Sequence, residues 1–199
     1  MGGLKSKIRK EIWIKPMKDC DSMKSPKLYV YLLGQDDPRK CTSVKLVRFG
    51  YAIPITRQSI IKRRSILLNP FAGSIVSPLD RGLAERSGIV ALDCSWNKAL
   101  EVFSKPWRGT HRRLPLLIPG NPVSYGKLGR LSSLEALAAT LIIISHEELA
   151  RRILSLYKWG ATFLELNRNL FDVYSRSKGE KDIREIEREI LDQQYPHPN

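Results

Sequence analysis

The chain has 199 residues and carries 34 Lys and Arg against 20 Asp and Glu, a formal net charge of +14. With 42% hydrophobic and 27% charged residues it can build one good core, which excludes wholesale disorder and leaves too little chain for several independent domains. A positive surplus of this size on a small surface concentrates polyanions, so nucleic acid is the leading expected partner.

Residues 1–26 are basic and rich in Ser, Met and Lys, and read as an extension that ends at Pro26. Leu28-Tyr-Val-Tyr-Leu-Leu33 reads as a strand running into a loop at Gly34-Gln35-Asp36-Asp37-Pro38. The same apolar pattern returns at Ser65–Leu68 before Asn69-Pro70, at Gly88–Leu92 before Asp93, and at Leu114–Ile118 before Pro119-Gly120. Continuous apolar runs of this length mark strands buried on both faces, and helix-like segments lie between them: Thr42 to Phe49, Pro78 to Arg86 after the capping signal Ser77-x-x-Asp80, and Trp96 to Lys105. Alternating strand and helix predicts an α/β parallel sheet over residues 27–118. From 119 to 199 a helical domain is expected. Ser132-x-x-Glu135 opens a helix through Ile144, and Ser145-x-x-Glu148 opens a second that Gly160 stops. Phe163, Leu166, Leu170 and Val173 mark a third, and Ile183, Ile186 and Ile190 a fourth.

The apolar run Leu137–Ser145 is far shorter than the roughly 20 residues of a membrane span. The amino terminus has no secretory signal pattern, so the expectation is a cytoplasmic protein with no membrane partner. Cys20, Cys41 and Cys94 have no CxxC spacing and stand apart from His111, His146 and His197 in sequence, so neither a disulfide framework nor a metal site is expected.

Ligands of open parallel sheets bind beyond the carboxyl ends of the strands, where loops converge and helix amino termini point inward. That rule selects Gly34–Thr42, Leu68–Pro70, Asp93–Trp96 and Pro119–Ser133. Asp93 serves there equally well as a helix cap or a catalytic carboxylate, and Ser95 could cap the helix that follows. Trp96 is either a wedge between helix and sheet or a flat wall for a ligand, whose carboxylate its indole N–H would hydrogen-bond. The connection Pro119–Gly129, with three Gly and two Pro in eleven residues, is too long for a turn and too rigid for a linker. No GxGxxG and no Walker lysine is present, which disfavours Rossmann and P-loop nucleotide sites.

Taken together, Asp37-Pro-Arg-Lys-Cys-Thr42, Leu67-Leu-Asn-Pro70, Ser77-Pro-Leu-Asp80, Asp93-Cys-Ser-Trp96 and Asn121-Pro-Val-Ser-Tyr-Gly-Lys127 running into Leu131-Ser-Ser-Leu-Glu-Ala136 resemble one family. It is that of the archaeal and eukaryotic enzymes that add a 3-amino-3-carboxypropyl group to a hypermodified pseudouridine of small-subunit ribosomal RNA. The similarity covers about residues 28–175. The chain departs from the family pattern at Ser124, where Asn is usual, at Leu128, where Pro is usual, and at Gly129, where Tyr is usual.

The resemblance implies a SPOUT-like, knotted α/β domain followed by an all-α domain, a monomer, and S-adenosylmethionine as cofactor. It implies that Thr42 and Trp96 face the cofactor's amino-acid end, with Ser133 as a further polar contact. Leu68 and Ala99 would pack on adenosine, and backbone groups of Leu92, Leu114 and Gly129 would bind the ribose and the adenine edge. The substrate would be small-subunit ribosomal RNA, free or in a pre-ribosomal particle. Asp93, the strand-end carboxylate, is the candidate base for the proton at pyrimidine N3. RNA contacts are expected from Lys40, Lys45 and Arg48, flanked by Lys62, Arg63 and Arg64 and by Arg112 and Arg113, all around the same rim. The rival readings are a SPOUT-type RNA methyltransferase and a non-catalytic ribosome-assembly factor.

Overall fold

The computed structural model describes residues 25–34 and 41–194. Five strands, β1 (Leu28–Leu32), β2 (Ile53–Ile55), β3 (Ile66–Leu68), β4 (Ile89–Asp93) and β5 (Thr110–Arg112), form one sheet of order β2-β1-β4-β3-β5 with every adjacent pair parallel. Alternate residues serve opposite faces, as the pleat requires. Leu28, Val30, Ile66, Leu68, Ile89 and Ala91 enter the larger core, while Leu67, Val90 and Leu92 enter a smaller one with Ile55, Ile61 and Val102. Both faces are therefore covered, which is why the strands read as unbroken apolar runs.

Helix α1 (Thr42–Arg48) follows β1, α2 (Arg81–Ser87) precedes β4, and the short α3 (Ala99–Phe103) follows it. A 3-10 turn leads into each of the last two, Pro78–Asp80 and Trp96–Lys98. The Ser77-x-x-Asp80 signal forms as expected, with Ser77 N–H donating to Asp80 Oδ2 at 3.1 Å.

After residue 132 the described elements are all helices: α4 (Ser133–Ile143), α5 (Glu147–Leu154), α6 (Gly160–Leu166), α7 (Arg168–Arg176) and α8 (Glu180–Gln194). Helix α4 is apolar on nearly every side and buried between the sheet, α1 and the other helices, the only environment such a sequence tolerates. One continuous cluster runs from Val30 and Ala91 through Leu137 and Ile143 to Phe171 and Ile183, so sheet and helices share a core.

Four expectations are corrected. Leu114–Ile118 is not a strand; the fifth strand is Thr110–Arg112, and β2 carried no recognisable apolar run. Distant side chains satisfy the backbone of this apolar segment. Leu116 N–H donates to Glu187 Oε1 at 2.9 Å, Leu116 O accepts from the Tyr174 hydroxyl at 3.2 Å, and Asn167 pairs with both N–H and O of Ile118 at 2.8 and 2.7 Å. The expected third helix is two. Asn167, fully buried, turns its amide onto Ile118 at the junction of α6 and α7, and Phe171 and Tyr174 face the core where Val173 was expected to. Helix α5 begins at Glu147, because Ser145 sits at φ +63°. Gly160 opens α6 and does not close α5; a Cβ there would stand 2.1 Å from Leu154 O.

Candidate functional site

At the centre of the sheet β1 connects outward to β2, whereas β4 connects the other way to β5, and the carboxyl ends of β1 and β4 flank the switch point. A cleft of about 760 Å³ opens there. It is of the size that takes a small organic ligand. Every residue expected at a cofactor site lines it: Thr42 opens α1, Leu68 ends β3, Leu92 is the penultimate residue of β4, Trp96 and Ala99 follow β4, and Leu114, Gly129 and Ser133 close it from the other side. Asp93 lies at its floor.

Asp93 is buried at the last position of β4, where Cys41, the N-cap of α1, donates its thiol to Asp93 Oδ2 at 3.1 Å. Burial first, and then the neighbouring Asp93 carboxylate, push the Cys41 thiol up to about 12. It therefore stays a protonated donor throughout the physiological range. Trp96 donates its indole N–H to Leu131 O at 3.0 Å. That bond pins the long connection to the sheet rim and corrects the expectation of a free indole donor; the ring contributes its surface to the cleft.

The connection itself is organised by Glu135, a residue the sequence reading placed only in a capping box. Its carboxylate is fully buried and takes five donors: Gly120 N–H (2.8 Å), Asn121 N–H (3.0 Å), Asn121 Nδ2 (2.5 Å), Ser132 N–H (2.8 Å) and Ser132 Oγ (2.7 Å). One side chain thus ties both ends of the loop to the first turn of α4. The backbone at Gly129 is also engaged, its N–H donating to Leu117 O at 2.9 Å and its carbonyl accepting from Leu131 N–H at 3.0 Å. A ligand at Gly129 consequently meets a carbonyl with one remaining lone pair and no free N–H.

At the end of β3, Asn69 holds Phe71 N–H through Oδ1 (2.9 Å) and His111 Nδ1 through Nδ2 (3.0 Å). Since His111 Nε2 faces Trp107 O at 2.9 Å, the imidazole is the neutral Nε2–H form, accepting at Nδ1.

The cationic residues divide differently from expectation. Lys40 lies outside the described residues. Lys45 is turned inward, donating to Leu156 O and standing 3.9 Å over the Tyr157 ring. Arg112 is held by Asp80 at 3.2 Å, and Arg113 pairs with Glu187 through two bonds of 2.7 Å. Both arginines line the cleft as parts of its wall. Arg48, Arg63 and Arg64 are exposed, but they precede β2 and β3 and so sit at the opposite edge of the sheet from the cleft. Among the described residues the exposed cations on the cleft rim are Lys127 and Arg130, which lie in the expected Pro119–Ser133 segment.

A twisted parallel sheet covered on both faces, with an apolar cleft at its switch point and a buried carboxylate on the cleft floor, defines an α/β ligand-binding protein of the kind that handles a small cofactor. The family model described as "Ribosome biogenesis protein, C-terminal" matches residues 66–191. The chain is 41% identical over 172 residues to the 16S rRNA aminocarboxypropyltransferase of Sulfurisphaera tokodaii, covering 86% of this chain and 99% of the relative. It is 39% identical over 166 residues to the protein of the same name from Methanocaldococcus jannaschii, covering 83% and 96%. The structure of the SAM-dependent rRNA:acp-transferase Tsr3 from Vulcanisaeta distributa superposes with a TM-score of 0.75 at 37% identity, covering 84% of this chain and 99% of that one. The chain belongs to the Tsr3 family of ribosome biogenesis proteins, whose relatives bear the name 16S rRNA aminocarboxypropyltransferase.

A second model, "Possible Fer4-like domain in RNase L inhibitor, RLI", matches residues 26–58. That segment contains one cysteine, Cys41, and the whole chain three. An iron–sulfur cluster takes four thiolates, so this donor set does not fit one.

Proposed function

We propose that this chain transfers the 3-amino-3-carboxypropyl group of S-adenosylmethionine to N3 of a pseudouridine, N1-methylated or not, in small-subunit ribosomal RNA during ribosome biogenesis. The observation that carries the reading is the cleft at the switch point, which gathers from separate segments Thr42, Leu68, Asp93, Trp96 and Ser133 in a member of this family. Its chemistry suits the cofactor. Leu68, Leu92, Ala99 and the Trp96 ring make an apolar wall, while Thr42, Asp93 and Ser133 supply polar groups.

S-adenosylmethionine would supply a sulfonium with three electrophilic carbons, 5′-methylthioadenosine leaving as the C–S bond of the aminocarboxypropyl group breaks, and orientation selects which carbon is transferred. Holding that orientation is the work of the walls. Trp96 is locked by its bond to Leu131, and the loop that closes the cleft is locked by Glu135. Asp93, with Oδ2 already accepting the Cys41 thiol, is positioned to receive the N3 proton. An Asp93→Asn variant is expected to bind cofactor normally and lose transfer; full transfer by that variant would remove Asp93 from the mechanism.

The finer fold reading is a SPOUT-like knotted domain (27–118) followed by an all-α domain (119–199). It is supported by the way segment 114–118 is gripped by α7, α8 and Asn167 while the following loop folds back to the sheet at Trp96. The protein is read as a cytoplasmic monomer; among the described residues no helix is long and apolar enough to cross a membrane.

The decisive experiment offers small-subunit ribosomal RNA and S-adenosylmethionine labelled in the carboxyl carbon. Label on the RNA is the expected result. Transfer of methyl label alone would reassign the chain to the methyltransferases, and failure to bind the cofactor at all would leave a non-catalytic assembly factor.

A further inference from the structure

Every strand of a parallel sheet starts at the same edge, so residues just ahead of the strands are brought together however far apart they lie in the chain. Here Ile89 N–H donates to Lys27 O (2.9 Å), Ile66 N–H to Gly88 O (3.0 Å) and Thr110 N–H to Ser65 O (2.7 Å), which sets the starts of β1, β4, β3 and β5 side by side. Around this row stand Lys27, Lys62, Arg63, Arg64, Arg86 and Arg108, all exposed. Among the described residues none of the six has a salt bridge.

The imbalance is local as well as global. Within described residues 25–34 and 41–144 there are sixteen Lys and Arg but five Asp and Glu. Of those five, Asp80, Asp93 and Glu135 are buried, and Glu85 is engaged by Arg81 and His146. Glu101, on α3, is the exposed member of the five and has no salt bridge among the described residues. A cluster of unneutralised cations repels itself and destabilises the free fold, so it contributes nothing to stability. Guanidinium forks match phosphate oxygens in pairs.

We propose that this amino-terminal edge is a second RNA-backbone surface, distinct from the cleft and at the other end of the strands. The proposal rests on the reading that RNA is the substrate. At about 3.3 Å per residue the five residues of β4 separate the two edges by roughly 16 Å. A folded RNA segment that presents its target base to the cleft, near Lys127 and Arg130, therefore reaches this edge only with a second stretch of its backbone. The edge reads phosphate and not sequence, serving to hold a large RNA in place.

The test measures affinity for a folded small-subunit ribosomal RNA fragment between 50 and 200 mM salt, using the wild type and the K62E/R63E/R64E variant, with cofactor affinity measured in parallel. Loss of at least about tenfold in RNA affinity, and a log–log salt slope shallower by about 2 to 3, is expected for three lost phosphate contacts. Cofactor affinity should be unchanged. A variant that binds the RNA like the wild type, with the same slope, overturns the proposal while leaving the RNA reading intact, and is the outcome an acidic-protein partner predicts. A wild type that binds no ribosomal RNA overturns the reading itself. If the variant fails to fold, ultraviolet crosslinking of the wild type decides: crosslinks in the peptide spanning 62–64 support the edge, and crosslinks confined to 122–130 overturn it.

Discussion

Replacing Glu135 by Gln changes one atom and keeps the volume, yet it strikes the residue that ties the cleft-closing loop together. In the native protein Oε1 takes the N–H groups of Gly120 and Asn121, and Oε2 takes Asn121 Nδ2, Ser132 N–H and Ser132 Oγ. A Gln amide must put an NH₂ at one of these positions. Placed at Oε1, it confronts two backbone donors that cannot turn away. Placed at Oε2, it confronts three, of which only the Ser132 hydroxyl can rotate freely to accept. Asn121 cannot flip without cost, because its Oδ1 holds Ser124 N–H at 2.9 Å.

The cheaper orientation leaves two buried donors unsatisfied. At about 1–3 kcal/mol each, the expected destabilisation is about 4 kcal/mol. Urea unfolding should show this as a lower midpoint with unchanged slope, since the same surface is exposed on unfolding. Cofactor affinity should fall by at least tenfold, because the loop that forms one wall of the cleft loses its anchor at both ends. An E135Q protein within 1 kcal/mol of wild type and with full cofactor affinity would refute the argument that this carboxylate organises the loop.

Glu187→Ala removes the partner of Arg113 and the acceptor of Leu116 N–H in one step, and should cost about 3–5 kcal/mol in chemical denaturation; a loss under 1 kcal/mol would mean water replaces it. The Cys41 thiol is raised from about 9 to about 12 in the folded state, so its contribution to stability is complete below pH 9 and is lost as pH rises toward 12. Alkaline unfolding should accordingly be less steep in Cys41→Ala. The same variant removes a hydrogen bond to Asp93, which should move the acid limb of the pH–rate profile to higher pH, while Cys41→Ser should restore it. Finally, a Cβ on Gly120 would come within 2.7 to 2.9 Å of Phe163, whereas one on Gly126, at φ +75°, meets no atom within 4 Å. Thermal melts should rank Gly120→Ala as the more damaging, at about 1–3 kcal/mol, against about 1 kcal/mol of backbone strain for Gly126→Ala.

What could be read from the sequence was local or periodic. The unbroken apolar runs at 28–33, 65–68 and 88–92 announced strands covered on both faces, because burial on both sides removes the polar alternation. Ser132-x-x-Glu135 announced the start of α4, because its two hydrogen bonds join residues three apart. The resemblance motifs, each ending near a strand or opening a helix, named Thr42, Asp93, Trp96 and Ser133, all of which line one cleft. Trp96 was expected to offer its N–H to a ligand; only the fold brought Leu131 O within its reach.

Tertiary structure decided whatever depended on partners far along the chain. Leu114–Ile118 has the composition of a strand. Glu187, Tyr174 and Asn167, 49 to 71 residues away, satisfy its backbone in place of a neighbouring strand, and single distant side chains leave no periodic trace. The cations show the same limit. Charge runs near the expected site looked alike in sequence, but Asp80 and Glu187 drew Arg112 and Arg113 into the wall, Leu156 and Tyr157 drew in Lys45, and parallel topology carried Arg63 and Arg64 to the far edge. Residue type alone determined that the protein would be cationic and α/β. Only the fold determined which cations face solvent, because that depends on where each strand begins and which carboxylates arrive beside it.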